Sequence, residues 1–347
     1  MKMIAGLLVI MALVFVLPFA VKKIEEELEI FLFIMGVAAV TVTKHWDMHL
    51  IHEALVEPIK ITVAVFAAGM LFKELRPHIA KNVNSIERKI GLKPFVFLVV
   101  VLLGLFSSVI TAIVAALVLV EIVGHLSMDR KTEIKMVVLS CFSIGFGAAL
   151  TPIGEPLSTI AISKLKAAPH NADFWYLVKH LGPVIIPSVV AIGLAAMLVV
   201  GKGSRTEPGL KEHGHERFRD VLLRTGKIYL FIMALVFLGA GFKPLIDEYV
   251  SKIPFFALYW INILSAVLDN ATLVAAEIGP SMEQRQINAA LLGLIVAGGI
   301  LIPGNIPNII SASKLKIKSK EWAAIGVPFG LSLMALFFIL IMAGLVK

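Results

Sequence analysis

The chain is a succession of long apolar runs, and four of those runs are broken near their middles by glycine, proline or polar residues. A helix needs about 20 mostly apolar residues to cross a hydrocarbon core of about 30 Å. Runs at about 3–21, 29–43, 54–74, 177–200, 226–243 and 322–346 predict plain spans, the second one short. The first run has no basic lead beyond Lys2 and no clear small-residue cleavage site, so it reads as a retained helix. Composition agrees: 59% of the 347 residues are hydrophobic and 16% charged, against roughly 45–50% and about 25% in soluble domains. This excludes a water-soluble enzyme and a nucleic-acid-binding domain, despite a net charge of +8. The single cysteine, Cys141, excludes a disulfide framework and a Cys-ligated metal cluster. Continuous rather than alternating apolar runs exclude a transmembrane β-barrel. The chain carries neither HExxH nor Gly-x-Ser-x-Gly, and its Ser and His residues form no triad pattern, so it does not read as an enzyme.

The four interrupted stretches fall into two kinds. Segment 94–124 is too long for one span and too short for two, with Ser107, Ser108 and Thr111 at its centre. Its two arms, about 14 residues or roughly 20 Å each, predict a re-entrant hairpin. Segment 253–278 has the same design around Asp269 and Asn270. Segments 135–163 and 287–313 are apolar helices broken at GFGAALTPIGEPLST (145–159) and GGILIPGNIPNIISAS (298–313). Broken helices in matching places are the best sequence pointer to a transporter's binding site, because freed backbone groups at membrane depth must face protein or a wet cavity.

The matching is internal. SSVITAIV (107–114) aligns with SAVLDNAT (265–272), and GEPLSTIAISKLK (154–166) aligns with GNIPNIISASKLK (304–316) with six of thirteen positions identical. The expected fold class is therefore an all-α polytopic membrane protein with two inverted-topology repeats, each with a re-entrant hairpin and a broken transmembrane helix. The predicted organisation is N-terminal helices at 1–53, a first repeat at 54–200, a hydrophilic linker at 201–225 that includes His213 and His215, and a second repeat at 226–347. Three crossings per unit force the second unit to be inverted. With loops 22–28, 75–93, 125–134, 201–225 and 314–321 on one side, 22 of the 32 basic residues fall there or on its flanks. The positive-inside rule makes that side cytoplasmic, in a cell membrane crossed many times, with both termini outside.

Ionisable groups inside a membrane are functional hypotheses by default. Asp269, with Asn270 and Thr272, offers an oxygen-rich nest at the hairpin turn for a hard cation, or alternatively a helix N-cap. Glu155 lies in the first break between Pro152 and Pro156, where Gly154 lets backbone approach closely and Ser158 and Thr159 add hydroxyls. In the aligned units Thr111 stands for Asp269 and Asn305 for Glu155, so each unit supplies one acid. Ser108, Asn305 and Asn308 add neutral oxygens. Lys and Arg are missing from the centres of the four stretches, which favours a cation over an anion. Glu121 and Glu277, at the ends of hairpin arms, read as interfacial.

TPIGEPLST (151–159) and AVLDNATLVAA (266–276) resemble the paired motifs of the NhaD-type sodium/proton antiporters of the ion transporter superfamily. The resemblance spans about 54–346. It implies inverted repeats, a homodimer and elevator-type alternating access, with Asp269, Asn270, Gly154 and Glu155 holding or gating the cation. The chain departs from the family in having Glu155 followed by Pro156, where the family has Asp, and in its second break, PGNIPN. The expected activity is exchange of Na⁺ or Li⁺ for H⁺ without a further cofactor. Cation-coupled symport of a small organic or inorganic anion is the alternative.

Overall fold

The computed structural model describes the chain except Met1, Lys22, Glu25, Glu26, Ser127, residues 201–217 and 250–252, Asp269 and Lys347. It also leaves out the side chains of further helical residues, among them Glu57, Thr272 and most of those between 60 and 84. No strand occurs among the described residues. Two N-terminal helices, α1 (Lys2–Ala20) and α2 (Leu28–Thr43), lead into α3 (Met48–Ile90). Then follow α4 (Leu92–Ile110), α5 (Ala112–His125), α6 (Arg130–Ala148), α7 (Pro156–Lys164) and α8 (Tyr176–Val199). The remainder is α9 (Phe218–Tyr249), α10 (Phe255–Ile261) with a 3₁₀ turn at Asn262–Ala266, α11 (Asn270–Glu277), α12 (Gln284–Ile300), α13 (Ile306–Leu315) and α14 (Ser319–Met342). The order long helix, hairpin, broken helix, long helix thus occurs twice, as α3–α8 and as α9–α14.

Among the described residues, four helical segments are long and apolar enough to cross a membrane: α4, α8, Thr225–Leu245 within α9, and α14. The chain has the architecture of an α-helical membrane protein. Two sequence expectations are corrected. The stretch 75–93 is not a loop: α3 runs unbroken through 43 residues. It stops only at Gly91, whose φ of 86° suits a residue without Cβ. The first hairpin arm is 19 residues rather than about 14, long enough by itself to span.

Helix starts are set by local chemistry. The Asp47 carboxylate accepts from Leu50 N–H at 2.7 Å to open α3, and Asp129 accepts from Thr132 N–H at 3.1 Å to open α6. Chiefly the Thr132 side chain, and after it this backbone bond, hold the Asp129 carboxyl below its ordinary range. Pro156 and Pro307 sit in the first turns of α7 and α13, where a missing N–H does no harm.

The centre of the molecule is made by α6 and α12. Every residue from Met136 to Ala148 in α6, and from Ile287 to Ile300 in α12, is buried. A helix apolar on all sides belongs in a core. Around them α4, α6 and α8 pack together, as do α12 and α14, with α6 against α12 joining the two groups. The helices α1, α2, α3 and α9 pack on one another, most extensively α2 on α9, and meet the rest of the molecule chiefly through α3 on α5 and α9 on α11. An ion pair from Lys227 at the start of α9 to Glu27 (2.9 Å) and Glu29 ties the ends of α2 and α9.

Candidate functional site

Three contacts recur at aligned positions of the two halves. The Ser107 hydroxyl donates to the Ile144 carbonyl at 2.9 Å, and the Ser265 hydroxyl donates to that of Leu294 at 3.4 Å. The Ser158 hydroxyl donates to the Ala148 carbonyl at 3.3 Å, and Asn308 Nδ2 donates to that of Gly298 at 2.8 Å. A Cβ at Gly154 would fall 2.0 Å from the Ala148 oxygen, and one at Gly304 would fall 2.6 Å from the Gly298 oxygen. These partners are related by the sequence alignment: 107 with 265 at the hairpins, and 144, 148, 154 and 158 with 294, 298, 304 and 308 at the breaks. In each half a hairpin hydroxyl ties down the broken helix, and a side chain beyond the break satisfies a carbonyl that the interrupted helix leaves without an N–H.

At the first break the chain turns through 149–155. The Thr151 hydroxyl donates to the Ser108 carbonyl, and Ala112 N–H donates to the Gly154 carbonyl at 2.9 Å. The hairpin tip is thereby fastened to the break. Thr111 forms the tip with φ 77°, and its hydroxyl oxygen accepts from Val114 N–H at 3.4 Å. The hydroxyl of Ser108 is taken up by its own helix, at the Leu105 carbonyl (2.6 Å). That of Thr159 donates to the Pro152 carbonyl at 2.6 Å. Glu155 precedes α7 in extended backbone and is only 8% exposed.

The second break is different. Asn305 caps α13 by accepting from Ile306 N–H at 2.8 Å, and its Nδ2 lies about where a Cβ on Gly145 of α6 would touch it, at 3.0 Å. Asn308 is fully buried, and its Nδ2 also donates to the Leu301 carbonyl at 2.9 Å. Its Oδ1 receives no hydrogen bond, and neither carboxamide atom of Asn270, also buried, has a partner. Both side chains come to Gly298: Asn308 bonds its carbonyl, and Asn270 lies against its Cα. Buried polar atoms are paired in the great majority of cases, and an orphaned one costs about 1–3 kcal/mol. Asn270 and Asn308 thus both touch Gly298, and each has a carboxamide oxygen without a partner, the kind of ligand a hard cation takes. Asp269, immediately before Asn270, lies outside the described residues, as does the side chain of Thr272.

The halves also interlock crosswise. The second hairpin's α11 packs on α7 beyond the first break, and the first hairpin's α5 packs on α13 beyond the second. The segment that carries Glu155 and the one that begins at Asn270 are therefore neighbours. Sequence reading missed Gly298 and Ser265 as partners of the breaks, although aligning 298 with 148 would have found the glycine. It also placed Glu277 at the interface, whereas its Oε2 accepts from the fully buried Asn262 Nδ2 at 2.9 Å, inside the hairpin. Glu121 is half-buried and lies 3.0 Å from His125 Nε2.

Fold and site together define a helical membrane protein with two hairpins and two broken helices meeting around buried polar groups. The chain belongs to the DUF1646 family, described as proteins of unknown function, whose pattern it matches over residues 4–343. No curated protein matches it.

Proposed function

We propose that the chain is a secondary active transporter that exchanges Na⁺, or Li⁺, for H⁺. The observation that carries this reading is that Asn270 and Asn308, both buried and both touching Gly298, each leave a carboxamide oxygen unpaired. A desolvated cation recovers at such oxygens the coordination it loses in leaving water. Asp269 supplies the charge, and Glu155 approaches from the facing helix α7. Exchange follows from competition: burial favours the protonated carboxyl and a bound cation favours the ionised one, so the site holds either a proton or a metal ion.

The repeated contacts support two repeats, and an odd number of crossings in each makes them inverted, with the basic loops cytoplasmic and both termini outside. In an elevator, α1, α2, α3 and α9, which carry none of the candidate cation residues, form the scaffold and the seam of a homodimer, and the hairpins and broken helices move against them. Flux in proteoliposomes across a pH gradient tests the activity: an inward Na⁺ pulse discharges the gradient, and choline does not. A second reading, cation-coupled symport of a small anion, is favoured by the N-termini of α7 and α13, which open at the two breaks and are suited to an anion. Na⁺-dependent anion uptake with no proton movement would select it.

A further inference from the structure

A cavity of about 400 Å³ lies where α2 and the start of α9 meet the end of α13 and the turn into α14. None of the candidate cation-site residues lines it. Its wall has two chemically different parts. Ile228, Phe231, Ile302 and Ile309 make one part apolar, and Lys227, Lys316 and Lys318 stand around the other with Glu29. Glu29 is already answered by Lys227. Lys316 and Lys318 are exposed, and the acid that faces Lys318 electrostatically, Glu321, is already bonded to Arg130. Lys316 is held at the mouth in left-handed backbone, φ 53°, by its place after α13, and its carbonyl accepts from Arg130 Nη2 at 3.0 Å.

We propose that this cavity binds an anionic phospholipid of the cytoplasmic leaflet, with its phosphate at Lys316 and Lys318 and its acyl chain along Phe231 and Ile309. The charge at the mouth is complementary to a phosphate and repels a cation, so the cavity is not an entry path for Na⁺. Its apolar part suits an acyl chain and not a free anion. Basic pockets between helices on the cytoplasmic side are where acidic headgroups are held. One wall belongs to α2 and α9 and the other to α13, the helix that carries Asn308. An occupant therefore bridges the N-terminal cluster and the second break. The sidedness rests on the orientation proposed above, but binding is measured without transport, so the two readings fail separately.

The test uses the purified full chain, titrated with phosphatidylglycerol, phosphatidylcholine or inorganic phosphate, with bound lipid counted by native mass spectrometry and the unfolding temperature followed in parallel. Phosphatidylglycerol is expected to remain bound and raise the unfolding temperature, and the other two to do neither. Lys316→Gln with Lys318→Gln is expected to weaken phosphatidylglycerol binding roughly 30-fold, from two surface lysines facing an anionic headgroup. The same pair leaves the lipid-free unfolding temperature unchanged, since both side chains are exposed. Equal stabilisation by phosphatidylcholine, equal stabilisation by inorganic phosphate, or full lipid retention by the double variant would each overturn the proposal.

Discussion

The carboxamide of Asn270 rests directly on the backbone of Gly298, so closely that a Cβ at residue 298 would fall 2.6 Å from Asn270 Nδ2. The glycine is there for space. Replacing it forces either Asn270 or the end of α12 to move, and overpacking of this kind costs about 1–3 kcal/mol. Gly298→Ala is therefore expected to lower the unfolding temperature and to abolish its rise on adding Na⁺. Asn270→Ala creates no clash and removes a carboxamide that has no hydrogen-bond partner, so it is expected to lose the Na⁺-dependent rise while leaving the ion-free protein nearly as stable. A thermal unfolding series with and without NaCl separates the two, because a ligand that binds only the folded state stabilises it by an amount that grows with the logarithm of its concentration above Kd.

The equivalent bonds of Ser158 and Asn308 are unequal in strength. Ser158 makes one long bond, 3.3 Å to the Ala148 carbonyl, whereas Asn308 makes two short ones, at 2.8 and 2.9 Å. At about 0.5–1.5 kcal/mol per bond, with a further penalty for each carbonyl left buried and bare, Asn308→Ala should be the more damaging by about 1–3 kcal/mol. Denaturation of the two variants in the same detergent checks the order. Equal losses would contradict the difference in strength, and no loss from either would mean that the breaks are not held by these side chains.

A third expectation concerns pH. Asp129 caps α6 through Thr132, and its carboxyl is held below the ordinary aspartate value. A group whose folded value is depressed stabilises the fold above the unfolded value, about 3.9, and loses that contribution as pH falls through the folded value. Unfolding of the wild type should therefore become easier in the window below about pH 4. Asp129→Asn, which caps nearly as well without titrating, should lack that part of the acid loss, and Asp129→Ala should cost about 1 kcal/mol at neutral pH. The difference between the variants across an acid titration is the measurement.

The Arg130–Glu321 pair joins the start of α6 to the start of α14 through two bonds, at 3.2 and 2.9 Å. Both side chains are about one-third exposed. Such pairs contribute about 0–1 kcal/mol, so Glu321→Gln is expected to change stability by less than about 1 kcal/mol and to become indistinguishable from wild type in high salt.

How far these features were legible differs from residue to residue. The repeat could be read from Ser-Lys-Leu-Lys recurring after Gly154 and Gly304, and the same alignment places Ser158 with Asn308 and Ser107 with Ser265. The hairpin tips were legible because Thr111 and Asn270 are the polar positions in otherwise apolar runs. The end of α3 was not: hydropathy falls after residue 74, but the chain stays helical until Gly91, and loss of apolar character marks the end of an apolar run rather than the end of a helix. Residue type also could not tell which oxygens are spent. Ser108, Ser158, Thr159 and Asn305 are each tied to nearby backbone by a hydrogen bond, which fixes where their oxygens point, while the oxygens of Asn270 and Asn308 have no partner. Glu277 was misread because Asn262, fifteen positions earlier, reaches it only once the hairpin closes.

The central claim is that Na⁺ and H⁺ compete for one site built on the second hairpin and the second break. Its most direct measurement is Na⁺-driven proton release from purified protein reconstituted in liposomes, for wild type, Asp269→Asn and Asn308→Ala. Na⁺ or Li⁺, but not K⁺ or choline, is expected to discharge an imposed pH gradient in the wild type. Asp269→Asn is expected to abolish the exchange and Asn308→Ala to raise the Na⁺ concentration needed. A gradient untouched by Na⁺ in folded wild-type protein, or full exchange by Asp269→Asn, would contradict it.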